Sequence, residues 1–166
     1  MILQERKAGP LNVHGALSGR RLWTPLTFPN EGFVSISADA KIEEETLPAY
    51  NASHFYPVRI GEILRDRYQI VGKLGFGGTS AVWLARDLSE RGHVAIKLYA
   101  QSESITSHSD TELRTYKRIE NAPKHHPGCT AIRTLLDSFE VQGPKGSHRC
   151  LVHPALWGKC TRLEAS

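Results

Sequence analysis

Three residue groups in this sequence have types and spacings that could do chemistry together. Gly75, Gly77 and Gly78 fall within four positions of the run Lys-Leu-Gly-Phe-Gly-Gly-Thr-Ser, 73–80. Glycines this close let a backbone approach another body without a Cβ in the way. A phosphate chain cradled by backbone N–H groups is the chemistry that serves; a plain tight turn between strands is the simpler use. Lys97 follows in Val-Ala-Ile-Lys, 94–97, with Ala95 two positions earlier and therefore on the same face of a strand. Its ammonium could reach phosphate oxygens, although taken alone it reads first as a solvated strand lysine. A buried ammonium keeps its charge and aim only beside a carboxylate. Glu112, fifteen residues on and next to Leu113 at the inward edge of a helical pattern, suits that role better than Glu120, two turns further along.

These groups need particular elements to position them. The run 68–73 alternates Tyr68, Ile70 and Gly72 against Gln69, Val71 and Lys73, and apolar strand-like runs recur at 79–86 and 93–100. The glycines therefore join two strands of a hairpin. A dinucleotide-binding turn would instead lead from a strand into a helix, with an acid about twenty residues later. The position twenty after Gly75 is Ala95, so that reading fails. Leu113, Tyr116 and Ile119 are spaced for a helix over 109–121, with Asp110 as its expected cap. His125 and His126 lack a third ligand at metal-like spacing and read as loop residues before Pro127 and Gly128.

Composition bounds the rest. The chain has 166 residues, is 40% hydrophobic and 23% charged, and carries a formal net charge of +4, as a globular domain with some tail would. No Lys/Arg block calls for nucleic acid, and no apolar run reaches the ~18 residues of a membrane span. Cys129, Cys150 and Cys160 are odd in number and far apart, as free thiols in a reducing compartment would be. Arg6, Lys7, Arg20 and Arg21 with few early acids leave mitochondrial targeting as the alternative to cytoplasm or nucleus. Residues 1–50 read as a poorly ordered, irregular N-terminal arm, and the charged and then aromatic run 41–64 as an approach segment that drapes over the domain.

Taken together these residues resemble the N-terminal lobe of a eukaryotic protein kinase, with Ser80 at the third glycine of G-x-G-x-x-G-x-V. The run DRYQIVGKLGFGGTSAVWLARD, 66–87, is similar in particular to the SR-protein kinase group and its divergent fungal members. LLDSFEVQGPKGSHRCLV, 135–152, carries the likeness through a strand, turn and strand to the nucleotide hinge. The resemblance covers about residues 55–157. It implies an α+β fold: a five-stranded antiparallel sheet with one main helix.

It also implies an ATP site. Leu74, Gly75, Gly77, Gly78 and Ser80 would lie over the phosphates, Val82 and Ala95 would enclose the adenine, and Lys97 paired with Glu112 would position the phosphates. His153 would close the back of the pocket. Pro154 would offer the hinge carbonyl and Leu156 the hinge N–H, in a stretch that departs from the acidic, glycine-ended hinge usual in the family. The implied reaction moves the ATP γ-phosphate to serine or threonine of a protein substrate, Arg/Ser-rich by resemblance, with neither nucleic acid nor membrane as partner.

The family's H-R-D and D-F-G motifs, which bring the catalytic base and the Mg²⁺ ligands, do not occur in these 166 residues. His148-Arg149-Cys150 has a thiol where the base would stand. The expectation is a partial kinase domain over 55–157 with an unrelated tail at 158–166, inactive by itself and without catalytic or metal-ligating residues of its own. The alternatives are a remnant that binds nucleotide weakly or engages another protein, and a non-functional truncated product.

Overall fold

The computed structural model describes residues 22–29, 31–32, 36–37, 40–48, 50–121 and 132–155. Six strands form one sheet: β1 (Ile63–Leu64), β2 (Tyr68–Phe76), β3 (Ser80–Asp87), β4 (Gly92–Tyr99), β5 (Asp137–Gly143) and β6 (Gly146–Pro154). Their spatial order is β1-β2-β3-β4-β6-β5, and every pairing is antiparallel. One long helix, α1 (Glu103–Glu120), connects the β4 side of the sequence to β5. This is the expected α+β class.

Two expectations need correction. The sheet has six strands rather than five, because the chain before Tyr68 turns back on itself and Ile63–Leu64 pairs with Gln69 and Tyr68. Arg65 and Asp66 make that turn, both at φ 53°, and the Arg67 N–H closes it on the Leu64 carbonyl at 3.1 Å. Glycine and asparagine normally signal such backbone; aspartate tolerates it, but Arg65 carries no such signal. Side chains fasten it instead: Arg65 donates to both oxygens of Asp137 at 3.0 Å, and Arg67 grips Asp87 at 2.9 and 2.7 Å. The helix also starts earlier than its apolar period. Its cap is Ser102, whose hydroxyl accepts from the Ile105 N–H at 3.3 Å, and Asp110 lies inside the helix.

The sheet has an outer and an inner face, fixed by alternation along paired strands. Ile70, Ala85, Val94, Ile96, Cys150 and Val152 share a continuous outer core, completed by Tyr56 and Val58 of the approach segment. That segment does drape over the domain. Cys150 is a free, buried thiol, and burial pushes its pKa up to about 12. Cys129 and Cys160, like His125 to Gly128, lie outside the described residues.

On the inner face, β4 carries His93, Ala95, Lys97 and Tyr99 in succession. α1 covers the far end: Leu113 packs with Tyr99 and Leu151, joined by Ile105 and Tyr116. The near end meets the N-terminal arm. Trp23 sets its ring edge-on to His93 at 5.5 Å, beneath the Arg86 guanidinium at 4.7 Å. Gln69, a polar side chain, is only 1% exposed. Its side-chain amide stands in for a neighbouring strand, accepting from the Leu26 N–H at 2.8 Å and donating to the Leu26 carbonyl at 2.7 Å. Residues 22–29 have no regular secondary structure, yet they are fastened to the sheet.

Candidate functional site

Between those two covers the inner face presents Val82, Leu84 and Ala95, with Lys97 at the edge of α1. The register sets this group: Leu84 pairs with Ala95 and Val82 with Lys97. Val82 and Leu84 are half-buried, whereas Ala95 is 2% exposed, wedged among its strand neighbours. The floor is thus small and apolar, with an ammonium at one side.

Lys97 and Glu112 meet as the spacing predicted. Lys97 Nζ donates to Glu112 Oε2 at 2.7 Å, with both side chains about a third exposed. Burial alone would raise the Glu112 carboxyl, but the bonds from Lys97 and from the Tyr99 hydroxyl outweigh it and hold the pKa below the ordinary value. The phenol of Tyr99 donates to the same oxygen, Oε2. Its own pKa is raised by burial and by the carboxylate. The sequence reading missed Tyr99, although it stands two residues after Lys97 on the same face.

The glycines are only partly in a loop. β2 continues to Phe76, so Gly75 lies in the sheet opposite Val82, and the turn proper spans Gly77 to Thr79. The Gly77 N–H closes it on the Ser80 carbonyl at 2.8 Å. Register shifts near Gly72 and Gly75 coil the strand. A Cβ added at Gly75 or Gly78 would meet nothing within 4 Å, and neither residue has positive φ. Nothing inside the described lobe demands glycine at these two positions. Leu74 is 55% exposed beside them, and Ser80 is buried at the start of β3.

At the other edge, His153 pairs with Ala95 and is 2% exposed. Its Nδ1 bonds the Thr134 carbonyl at 3.0 Å, which places the ring proton on Nδ1, and its ring lies 5.0 Å from Tyr116. Burial pulls its pKa below the ordinary histidine value. The Pro154 carbonyl accepts from Arg133 at 3.1 Å, a bond the sequence did not announce. Leu156 lies outside the described residues. A groove of about 410 Å³ runs along α1 past Glu112, Tyr116 and Ile119 to Ile132, with none of Val82, Ala95 or Lys97 in its walls.

Two further absences concern the described residues. No group of three or more His, Cys, Asp or Glu is placed to hold a metal ion. No helix is long and apolar enough to cross a membrane.

Comparison with known proteins adds an independent line. No protein-family model matches the chain. A serine/threonine protein kinase of Aspergillus fumigatus is 36% identical over 143 residues, covering 86% of this chain and 35% of the relative. Protein kinase dsk1 of Schizosaccharomyces pombe is 36% identical over 123 residues, 74% of this chain and 23% of its own length. SRSF protein kinase 3 of Mus musculus is 33% identical over 110 residues, 66% of this chain and 20% of that protein. The chain thus spans about a third or less of these curated relatives.

Proposed function

The homologues of this chain are serine/threonine protein kinases of the SR-protein-kinase group, and from that premise we propose that residues 55–157 form the ATP-binding lobe of such a kinase. The observation that carries the reading is the Lys97–Glu112 pair at the edge of the apolar Val82–Ala95 floor. An adenine is flat and apolar on its faces, and Val82 and Ala95 give it a matching wall. His153 would close the rear, and the Pro154 carbonyl would meet the base edge beside its bond from Arg133.

The phosphates would then run from Lys97 toward Gly75, Gly77, Gly78 and Ser80, beside Leu74. Glycine positions with open space and ordinary φ are what a close-approaching phosphate needs. Glu112 keeps Lys97 charged and aimed. In this family Mg²⁺ accompanies ATP and neutralises phosphate charge. The described residues provide no cluster to hold it.

The complete reaction is γ-phosphate transfer to serine or threonine of a protein, with Arg/Ser-rich chains as the substrate class and cytoplasm or nucleus as the setting. The 166 residues themselves, without H-R-D or D-F-G, are proposed to bind ATP without transferring phosphate. With one wall of the site in place, affinity is expected near about millimolar, each tenfold being about 1.4 kcal/mol. The test is ATP binding by the chain and by Lys97→Met, alongside phosphate incorporation into an Arg/Ser-rich peptide. Binding lost in Lys97→Met with no incorporation supports the reading. Incorporation that Lys97→Met abolishes would show that the chain carries a base not identified here.

A further inference from the structure

We propose that Tyr99 is a positioning residue for the nucleotide lysine: its phenol ties α1 to β4 through Glu112, so the lobe itself holds the Lys97–Glu112 pair together. The inference rests on the nucleotide reading above.

Lys97 and Tyr99 project from the same face of β4, two residues apart, and both donate to Oε2 of Glu112. The ammonium also sits 4.8 Å from the centroid of the Tyr99 ring, so the three groups form one closed cluster. The ring is 3% exposed, packed with Leu113 and Leu151, and cannot swing to a new acceptor without leaving that core. Its main chain is fixed as well, since the Tyr99 carbonyl bonds Nδ1 of the buried His148 at 3.0 Å.

An outward swing of α1 that broke only a surface ion pair would meet little resistance. Here it would also leave a buried hydroxyl without its acceptor, which is the costlier loss. Tyr99 therefore biases α1 toward the sheet and keeps the Lys97 ammonium against its partner. Tyr116 and His153 act on Glu112 through space, and His108, one turn earlier on α1, lines the same groove; none of the three is hydrogen-bonded to it among the described residues.

The test uses Tyr99→Phe in the 166-residue chain, which keeps the ring and removes only the hydroxyl. Two readouts are followed: the Glu112 carboxyl titration by ¹³C NMR, and the ATP dissociation constant with and without Glu112→Ala. The expected result is a Glu112 titration shifted toward higher pH and an ATP affinity weaker by about tenfold. In the Glu112→Ala background the same change should have no further effect, because Tyr99 acts through that carboxylate. An unmoved Glu112 titration overturns the proposal, and so does an equal loss of affinity in both backgrounds. Lys97→Met separates the two claims. If it binds ATP as well as the parent chain, the nucleotide reading fails, while the Glu112 titration still decides what Tyr99 does.

Discussion

The two faces of the sheet are built from the same strands and do opposite things. On the outer face, Ile70, Val94, Ile96 and Val152 meet Tyr56 and Val58 in an unbroken apolar layer. On the inner face the arm covers one end through Trp23 and Leu26, α1 covers the other through Leu113, and Val82, Leu84 and Ala95 lie between. Successive residues of β4 are thus divided: Val94, Ile96 and Leu98 hold the fold, while Ala95 and Lys97 face the gap. Along one strand, residues that build the core and residues that face the gap alternate one by one.

The largest effect expected from breaking this division is on the outer face. Ile96 is fully buried, and Ile96→Ala should destabilise the chain by about 2–5 kcal/mol, read from denaturant unfolding. Val82→Ala, half-buried on the inner face, should cost about 1 kcal/mol or less while weakening ATP binding. Equal destabilisation by both would erase the distinction.

The arm gives the next effect. Gln69→Ala removes both bonds that hold the half-exposed Leu26 backbone to the sheet, an expected loss of about 1–3 kcal/mol at about 0.5–1.5 per bond. Amide exchange at Leu26 should accelerate in the same variant. An unchanged Leu26 amide would mean that the clasp contributes nothing.

A smaller effect concerns acid. Burial lowers the His153 pKa from its ordinary 6.5, so in the folded chain the ring stays neutral against Tyr116, Arg133 and the Thr134 carbonyl. As pH falls below 6.5 the unfolded chain takes up the proton first, and stability is lost down to the folded pKa. The Glu112 and Asp87 carboxyls, held low by Lys97 with Tyr99 and by Arg67, keep their contributions until lower pH. His153→Phe should therefore flatten the limb just below pH 6.5 and leave the more acidic limb in place. Urea midpoints measured across pH 4–7 decide it.

Much of this was legible because local periodicity and spacing carried it. The alternation in 68–73 and the apolar runs around β3 and β4 located the strands, and a fifteen-residue spacing located Glu112 opposite Lys97. What stayed hidden depends on pairings without a local signal. Gln69 and Leu26 are 43 positions apart in a stretch with no period. β1 depends on Arg65 and Asp66 adopting positive φ, and the first turns of α1 are mostly Ser, Thr and His, so the apolar period begins late. Arg133 reaches the Pro154 carbonyl from an irregular segment. Tyr99 was within reach: the rule that put Ala95 beside Lys97 puts Tyr99 there too.

The most direct measurement is an ATP titration of the chain followed by backbone amide NMR, with Lys97→Met as its control. The account predicts shifts concentrated at Gly75 to Val82, Ala95 to Lys97, Glu112 and His153, and their loss in the variant. Shifts that appear instead around Tyr56 and Val58 on the outer face, or that persist unchanged in Lys97→Met, would contradict it.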